Sequence, residues 1–176
     1  MEWQQFVTEL FLRISQELEA VLEGLTVDDL NQQPRPDCNS IGWLAWHLTR
    51  SHDRNMSEIA GEEQLWTRDK WYLKFDRTPD PNDTGYHHSP EEAAAFRSPD
   101  SATVLEYHRA VVERIKNYID SSLSDTELER DSYSPTFQTT SKVRKRLVSV
   151  LSDGFQHVGQ AAYVRGLLKG RGWSDR

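Results

Sequence analysis

The sequence predicts an all-α protein, a four-helix bundle with a long crossover between its second and third helices. Four long segments repeat apolar residues at three- and four-residue spacing, and no segment shows the strict alternation of a half-buried strand. The second and third of these segments are separated by Gly61 to Ser98, a connection far longer than ordinary loops. At 176 residues the chain has the usual size of one domain, and 1–176 is read as such.

The first helix starts at Trp3, carries Phe6, Val7, Leu10, Phe11, Ile14, Leu18, Val21 and Leu22 on one stripe, and ends at Gly24. Thr26 to Pro36 has room for one short turn around Asp28-Asp29-Leu30 before two prolines break the pattern. Asn39 or Ser40 caps the second helix. There Ile41, Trp43, Leu44, Ala45, Trp46 and Leu48 cover nearly the whole circumference, so this helix is expected to be buried on most sides and His47 with it.

Four aromatics, Trp66, Trp71, Tyr72 and Phe75, argue that the long connection is an ordered crossover despite the breaker-rich run from Thr78 to Gly85. Within it Ser89-Pro90-Glu91-Glu92 combines a capping serine, a first-turn proline and a glutamate three residues on, which predicts a short helix to about Phe96. The third long helix begins near Pro99 or Asp100, with Val104, Tyr107, His108, Val111, Val112, Ile115, Tyr118 and Ile119 on its stripe. After Leu123 a polar stretch through Pro135 and Thr140 leads to the fourth helix, Lys142 to Lys169. Its apolar face is Val143, Leu147, Val150, Leu151, Val158, Ala161 and Ala162, bordered by Asp153, His157, Gln160 and Val164.

The net charge of −7 argues against broad nucleic-acid binding, because phosphate neutralisation needs a basic surface. No window approaches the roughly 20 apolar residues of a membrane span. The single cysteine, Cys38, cannot form an intramolecular disulfide, and the N-terminal residues have neither a basic nor an apolar signal region. A soluble protein in a reducing, cytoplasmic compartment is expected.

The chemistry concentrates in Asp153 and His157. On a helix their spacing puts both side chains on one face, with Cβ atoms roughly 5–6 Å apart. If His47 meets them, a carboxylate and two imidazoles converge on one cation; taken alone, the pair also fits an exposed helical ion pair.

Three stretches carry a resemblance: Asn39-Ser-Ile-Gly-Trp-Leu-Ala-Trp-His47-Leu, Asp83-Thr-Gly-Tyr-His-His88-Ser, and Leu147 through Asp153-Gly-Phe-Gln-His157-Val-Gly-Gln160 to Arg165-Gly. Together they resemble the DinB/YfiT-like superfamily of four-helix bundles, in particular its branch of mycothiol- and bacillithiol-dependent transferases and mycothiol-dependent maleylpyruvate isomerase. The resemblance implies a divalent metal held by His47, Asp153 and His157. Many members carry histidine at the position of Asp153, and the maleylpyruvate isomerase type carries glutamate, one methylene longer.

A His/Asp/His set suits Zn²⁺ first, with Ni²⁺, Fe²⁺ or Mn²⁺ as alternatives, and three protein ligands leave a position open. There a low-molecular-weight thiol would bind as thiolate and be directed onto an electrophilic substrate. Two other readings use the same residues: a hydrolase with activated water, and a non-catalytic bundle that binds metal or ligand only. No individual catalytic group is assigned.

The basic run Lys142-Val-Arg144-Lys145-Arg146 opposes the helix macrodipole. Arg144 and Arg146 are candidate cofactor-binding residues for an anionic thiol or substrate, or else pair with the surplus acids. Trp43, with Trp46, either walls a cofactor pocket or packs in the core. Gln160 is placed to hold a metal ligand. His52 and His108 read as structural, His87 and His88 as an exposed pair or the mouth of a pocket. Gly154 and Gly159 either admit a close neighbour or merely weaken the helix. The expected partners are a small thiol and an electrophile, with no nucleic acid, no membrane, and a homodimer on general grounds.

Overall fold

The helix ends follow local chemistry in a computed structural model that describes residues 3–170 and Trp173. α1 (Trp3–Leu22) stops just short of Gly24, whose φ of +68° is a left-handed conformation that glycine adopts without strain. Arg165 donates to the carbonyls of Val21 and Glu23, neutralising a helix end that has no basic residue of its own. In α2 (Val27–Asn31) the Thr26 hydroxyl accepts the Asp29 N–H while the Asp29 carboxylate accepts the Thr26 N–H.

α3 (Ile41–Ala60) is capped by Ser40, whose Oγ accepts the Trp43 N–H at 3.2 Å, and ends at Gly61. The crossover is ordered into α4 (Leu65–Arg68), α5 (Trp71–Lys74) and α6 (Pro90–Ala95). α6 has the reciprocal Ser89/Glu92 cap, and Phe96 is its first residue outside the helix. α7 (Ser101–Ser122) begins after Asp100, whose carboxylate accepts the Thr103 N–H at 2.7 Å.

The polar stretch that follows holds more structure than its sequence predicts. A single turn, α8 (Asp125–Leu128), leads into a hairpin of β1 (Asp131–Ser134) and β2 (Thr139–Lys142), antiparallel with Ser132 opposite Ser141. Lys142 therefore belongs to a strand, and α9 (Val143–Lys169) starts one residue later than expected.

The long helices form the bundle: α3 lies against α7 and α9, and α1 lies against the same two. Their stripes meet in one apolar cluster that includes Phe11, Ile14, Leu18, Leu48, Val104, Val111, Ile115, Leu147, Val158 and Ala161.

Burial of α3 extends beyond its apolar first turns, because Thr49 to Ser57 is mostly polar and almost wholly buried. Asp53 is the organising group. Its carboxylate accepts the N–H groups of Leu65 and Trp66, the Tyr107 hydroxyl and the Arg114 guanidinium. Arg50, fully buried over the Trp66 ring, donates to Gln64, to Tyr107 and to the carbonyls of Pro81 and Asp83. The crossover is thus tied to α3 at its start and again in its middle. Among the described residues no helix is long and apolar enough to cross a membrane.

Candidate metal centre

His47 comes from the second turn of α3, and Asp153 and His157 from the middle of α9, the helix that packs on it. Folding brings them together: one donor atom from each lies within 4.8 Å of the other two. The two imidazoles meet edge to face with ring centroids 4.6 Å apart.

The protons are placed by the neighbours. His47 Nδ1 bonds to the Thr84 carbonyl, which can only accept, so the proton sits on Nδ1 and Nε2 carries a lone pair. Burial holds this ring neutral, pushing its pKa down to about 4 against the help of the Thr84 carbonyl. His157 Nδ1 donates to Gln160 Oε1 at 2.9 Å, which turns its Nε2 toward Asp153 Oδ1, 3.3 Å away.

Burial favours the neutral form of Asp153, but the His157 hydrogen bond, the nearby Ser51 hydroxyl and the two imidazoles outweigh it and bring its pKa to about 2. Its Oδ2 is buried with no hydrogen-bond partner. For His157, burial opposes protonation and Asp153 more than restores it, so its pKa is raised.

A divalent cation fits this arrangement. His47 Nε2 carries a lone pair and the Asp153 carboxylate is ionised, an incoming cation would take the place of the proton that His157 Nε2 shares with Asp153, and each imidazole has its other nitrogen fixed by an acceptor, as metal-bound histidines do. The buried, unpartnered Oδ2 is a further coordination-ready atom.

The surrounding residues hold His47 in place. Trp43 stacks on its ring, centroids 4.8 Å apart and planes 13° apart, and donates from Nε1 to His88 Nδ1 at 3.2 Å. His88 Nε2 lies 3.4 Å from Asp83 Oδ1, so the crossover braces the tryptophan that braces the ligand. Gly85 has φ +83°, and a Cβ there would stand 2.7 Å from the Trp43 ring and 3.0 Å from His47 Nδ1. Only glycine lets the crossover come this close.

Beside the triad is a cavity of about 90 Å³ lined by His47, Ser51, Arg54, Asn55, Ser149 and Asp153, with Tyr86 and Phe137 at its edge. Three of the four basic residues from Lys142 to Arg146 are engaged with acids. Lys142 pairs with Asp131 and Arg144 with Glu129 on the surface, while buried Arg146 pairs with Glu58 and reaches the cavity wall only through Asn55. Trp46 is packed in the core between Phe96 and Trp66. His108 is a buried, hydrogen-bonded core residue, and His52 is buried against Phe11. Of the loop pair, His87 is exposed and His88 is half-buried against Trp43.

Sequence reasoning missed Thr84, Gly85, Ser51 and Arg54. Ser51 and Arg54 had a signal, since they continue from His47 at four- and seven-residue spacing along one face of α3. Thr84 acts through its backbone, which no side-chain pattern records.

The fold and donor set define a helical bundle in which two histidines and one carboxylate on facing helices are close enough to hold a metal ion. The chain belongs to the DinB superfamily, whose family model it matches over residues 10–161. It is also similar to a solved structure, a conserved protein from Enterococcus faecalis, with 31% identity and a TM-score of 0.85, covering 97% of this chain and 99% of that one. No curated protein matches the chain.

Proposed function

We propose that this protein is a metal-dependent enzyme of the small-thiol S-transferase type, acting in the cytoplasm, in which a low-molecular-weight thiol is joined to an electrophilic substrate beside the triad. The observation that supports it is the convergence of the His47, Asp153 and His157 donors, with both Nδ1 atoms engaged by acceptors and Asp153 Oδ2 buried without a partner. These residues would hold the cation, zinc in first place and nickel, iron or manganese as alternatives. When bound, it supplies Lewis acidity that favours the thiolate of a coordinated thiol at neutral pH.

The chain supplies positioning. Thr84 and Gln160 fix the two imidazoles, Trp43 keeps the His47 ring from turning, and Tyr86 and Phe137, ring against ring, line the cavity. The resemblance to thiol-dependent transferases favours a thiol over water as the activated group. A homodimer remains part of the proposal and is checked by sedimentation velocity.

Elemental analysis of protein prepared without a metal-affinity tag should find about one divalent metal per chain, and His157→Ala should lower it to near background. Unchanged metal content in that variant would remove the assignment. Metal-loaded protein is then incubated with a model electrophile: consumption that requires added thiol supports transfer, thiol-independent incorporation of water supports a hydrolase instead, and inertness with both marks a binding protein.

A further inference from the structure

The cavity beside the triad contains a charge that metal binding does not use. Arg54 stands two turns after His47 on α3, on the same face, and only 4% of it is exposed. Its Nε has no hydrogen-bond partner, and its bond to Thr84 Oγ1 is a long 3.4 Å. Among the described residues no carboxylate is in ion-pair contact with it: Glu58, one turn further on, is taken by Arg146 and Thr136. Its remaining support is the Phe137 ring, 5.1 Å away.

The other buried arginines are satisfied. Arg50 meets Asp53, Gln64 and Tyr107, and Arg146 meets Glu58, Asn55 and Ser132. A buried guanidinium with no carboxylate in contact, attracted only through space by Glu58 and Asp153, is costly to the fold, and its fork of N–H donors matches a carboxylate in two-point fashion. Tyr86 and Phe137, in edge-to-face contact and each about half exposed, offer apolar surface at the same edge.

We propose that Arg54 is the anion-recognition residue of this cavity and that the ligand it takes is a small organic carboxylate, its charged end on the guanidinium and its apolar body against Tyr86 and Phe137. A single free guanidinium with Asp153 in the same wall suits a monoanion better than a phosphate, whose second charge would face that carboxylate. The proposal rests on the functional reading in one respect, that substrate binds beside the triad; it holds for transfer and hydrolysis alike.

The test titrates benzoate, benzamide and inorganic phosphate into metal-free and metal-loaded protein by calorimetry, for the natural chain, Arg54→Gln and Arg54→Lys, with metal content measured for each. Benzoate should bind at least about tenfold more tightly than benzamide, and Arg54→Gln should erase that preference while Arg54→Lys keeps part of it. In the absence of anions the thermal midpoint of Arg54→Gln should be unchanged or higher, because the residue is held there against stability. The proposal is overturned if benzoate fails to bind, if benzoate and benzamide bind alike, if phosphate binds more tightly, or if Arg54→Gln lowers the midpoint and leaves benzoate affinity intact. Arg54-dependent benzoate binding in a chain that takes up no metal would support this inference and sink the metal reading alone.

Discussion

Two hydroxyls decide the protonation of His108. The Thr49 hydroxyl donates to the Ala45 carbonyl at 2.9 Å, so it can only accept from His108 Nδ1, 3.0 Å away. Ser15 has one proton for two acceptors, the Phe11 carbonyl at 3.2 Å and Nε2 at 2.9 Å, and given to the nearer of them it satisfies the ring while neutral. Burial, with smaller contributions from His52 and Arg109, pushes its pKa down from 6.5 to about 3. The folded state thus refuses a proton that the unfolded chain accepts below about 6.5. The corresponding stability is complete above that pH and is lost progressively as the pH falls toward 3. His108→Gln should flatten the decline between pH 6 and 4 by up to ~1.4 kcal/mol per pH unit, read from urea unfolding at a series of pH values. An unchanged slope would mean that the ring charges inside the fold. The sequence placed His108 in an apolar stripe and so marked it as a core residue, but its partners come from α1 and α3 and could not be read from its neighbours.

At the scale of elements, α3 and α9 each carry two patterns at once. Apolar residues build the core, and a polar line, His47-Ser51-Arg54-Glu58 on one helix and Arg146-Asp153-His157-Gln160 on the other, builds the site. The lines are visible in sequence as three-, four- and seven-residue spacings; that they face each other is a matter of packing. The hairpin was not legible because its strands are four residues each, with serines facing inward and Tyr133 facing out, which leaves no apolar alternation to detect.

The glycines of α9 show how context separates residues that look alike. At Gly154 a Cβ would stand 2.6 Å from His52 Nε2 and 2.9 Å from Ile14 Cδ1, whereas at Gly159 nothing lies within 4 Å. Gly154→Ala should therefore destabilise the protein by roughly 1–3 kcal/mol through overpacking. Gly159→Ala should stabilise it by about 0.8–1.0 kcal/mol through helix propensity. Urea unfolding of the two variants checks both signs, and a shared sign would contradict this account.

Across the whole molecule the site depends on a network that lies away from it. Asp53 holds the start of the crossover, Arg50 holds Asp83 and Pro81 within it, and Thr84 next to them orients His47. Asp53→Ala leaves Arg50 buried without its carboxylate and frees two backbone N–H groups, a change that should cost about 3–5 kcal/mol. It should also weaken metal uptake, although residue 53 is not one of the donors. Calorimetric metal titration beside urea unfolding tests that coupling; full affinity in a destabilised variant would break it.

The sequence by itself determined the helices, their caps and the ordered crossover, because these arise from residues close together in the chain: Ser40 before Trp43, Ser89 before Glu92, the apolar stripes. It also determined that Asp153 and His157 share a face, since helical geometry alone requires it. Tertiary structure decided the rest. It brought His47 to them from a distant helix, gave Arg146 to Glu58 while leaving Arg54 with no carboxylate in contact, and placed the Thr84 carbonyl where it sets the tautomer of His47. Each of these outcomes depends on which surfaces exclude water together, and that is settled only when the whole core closes.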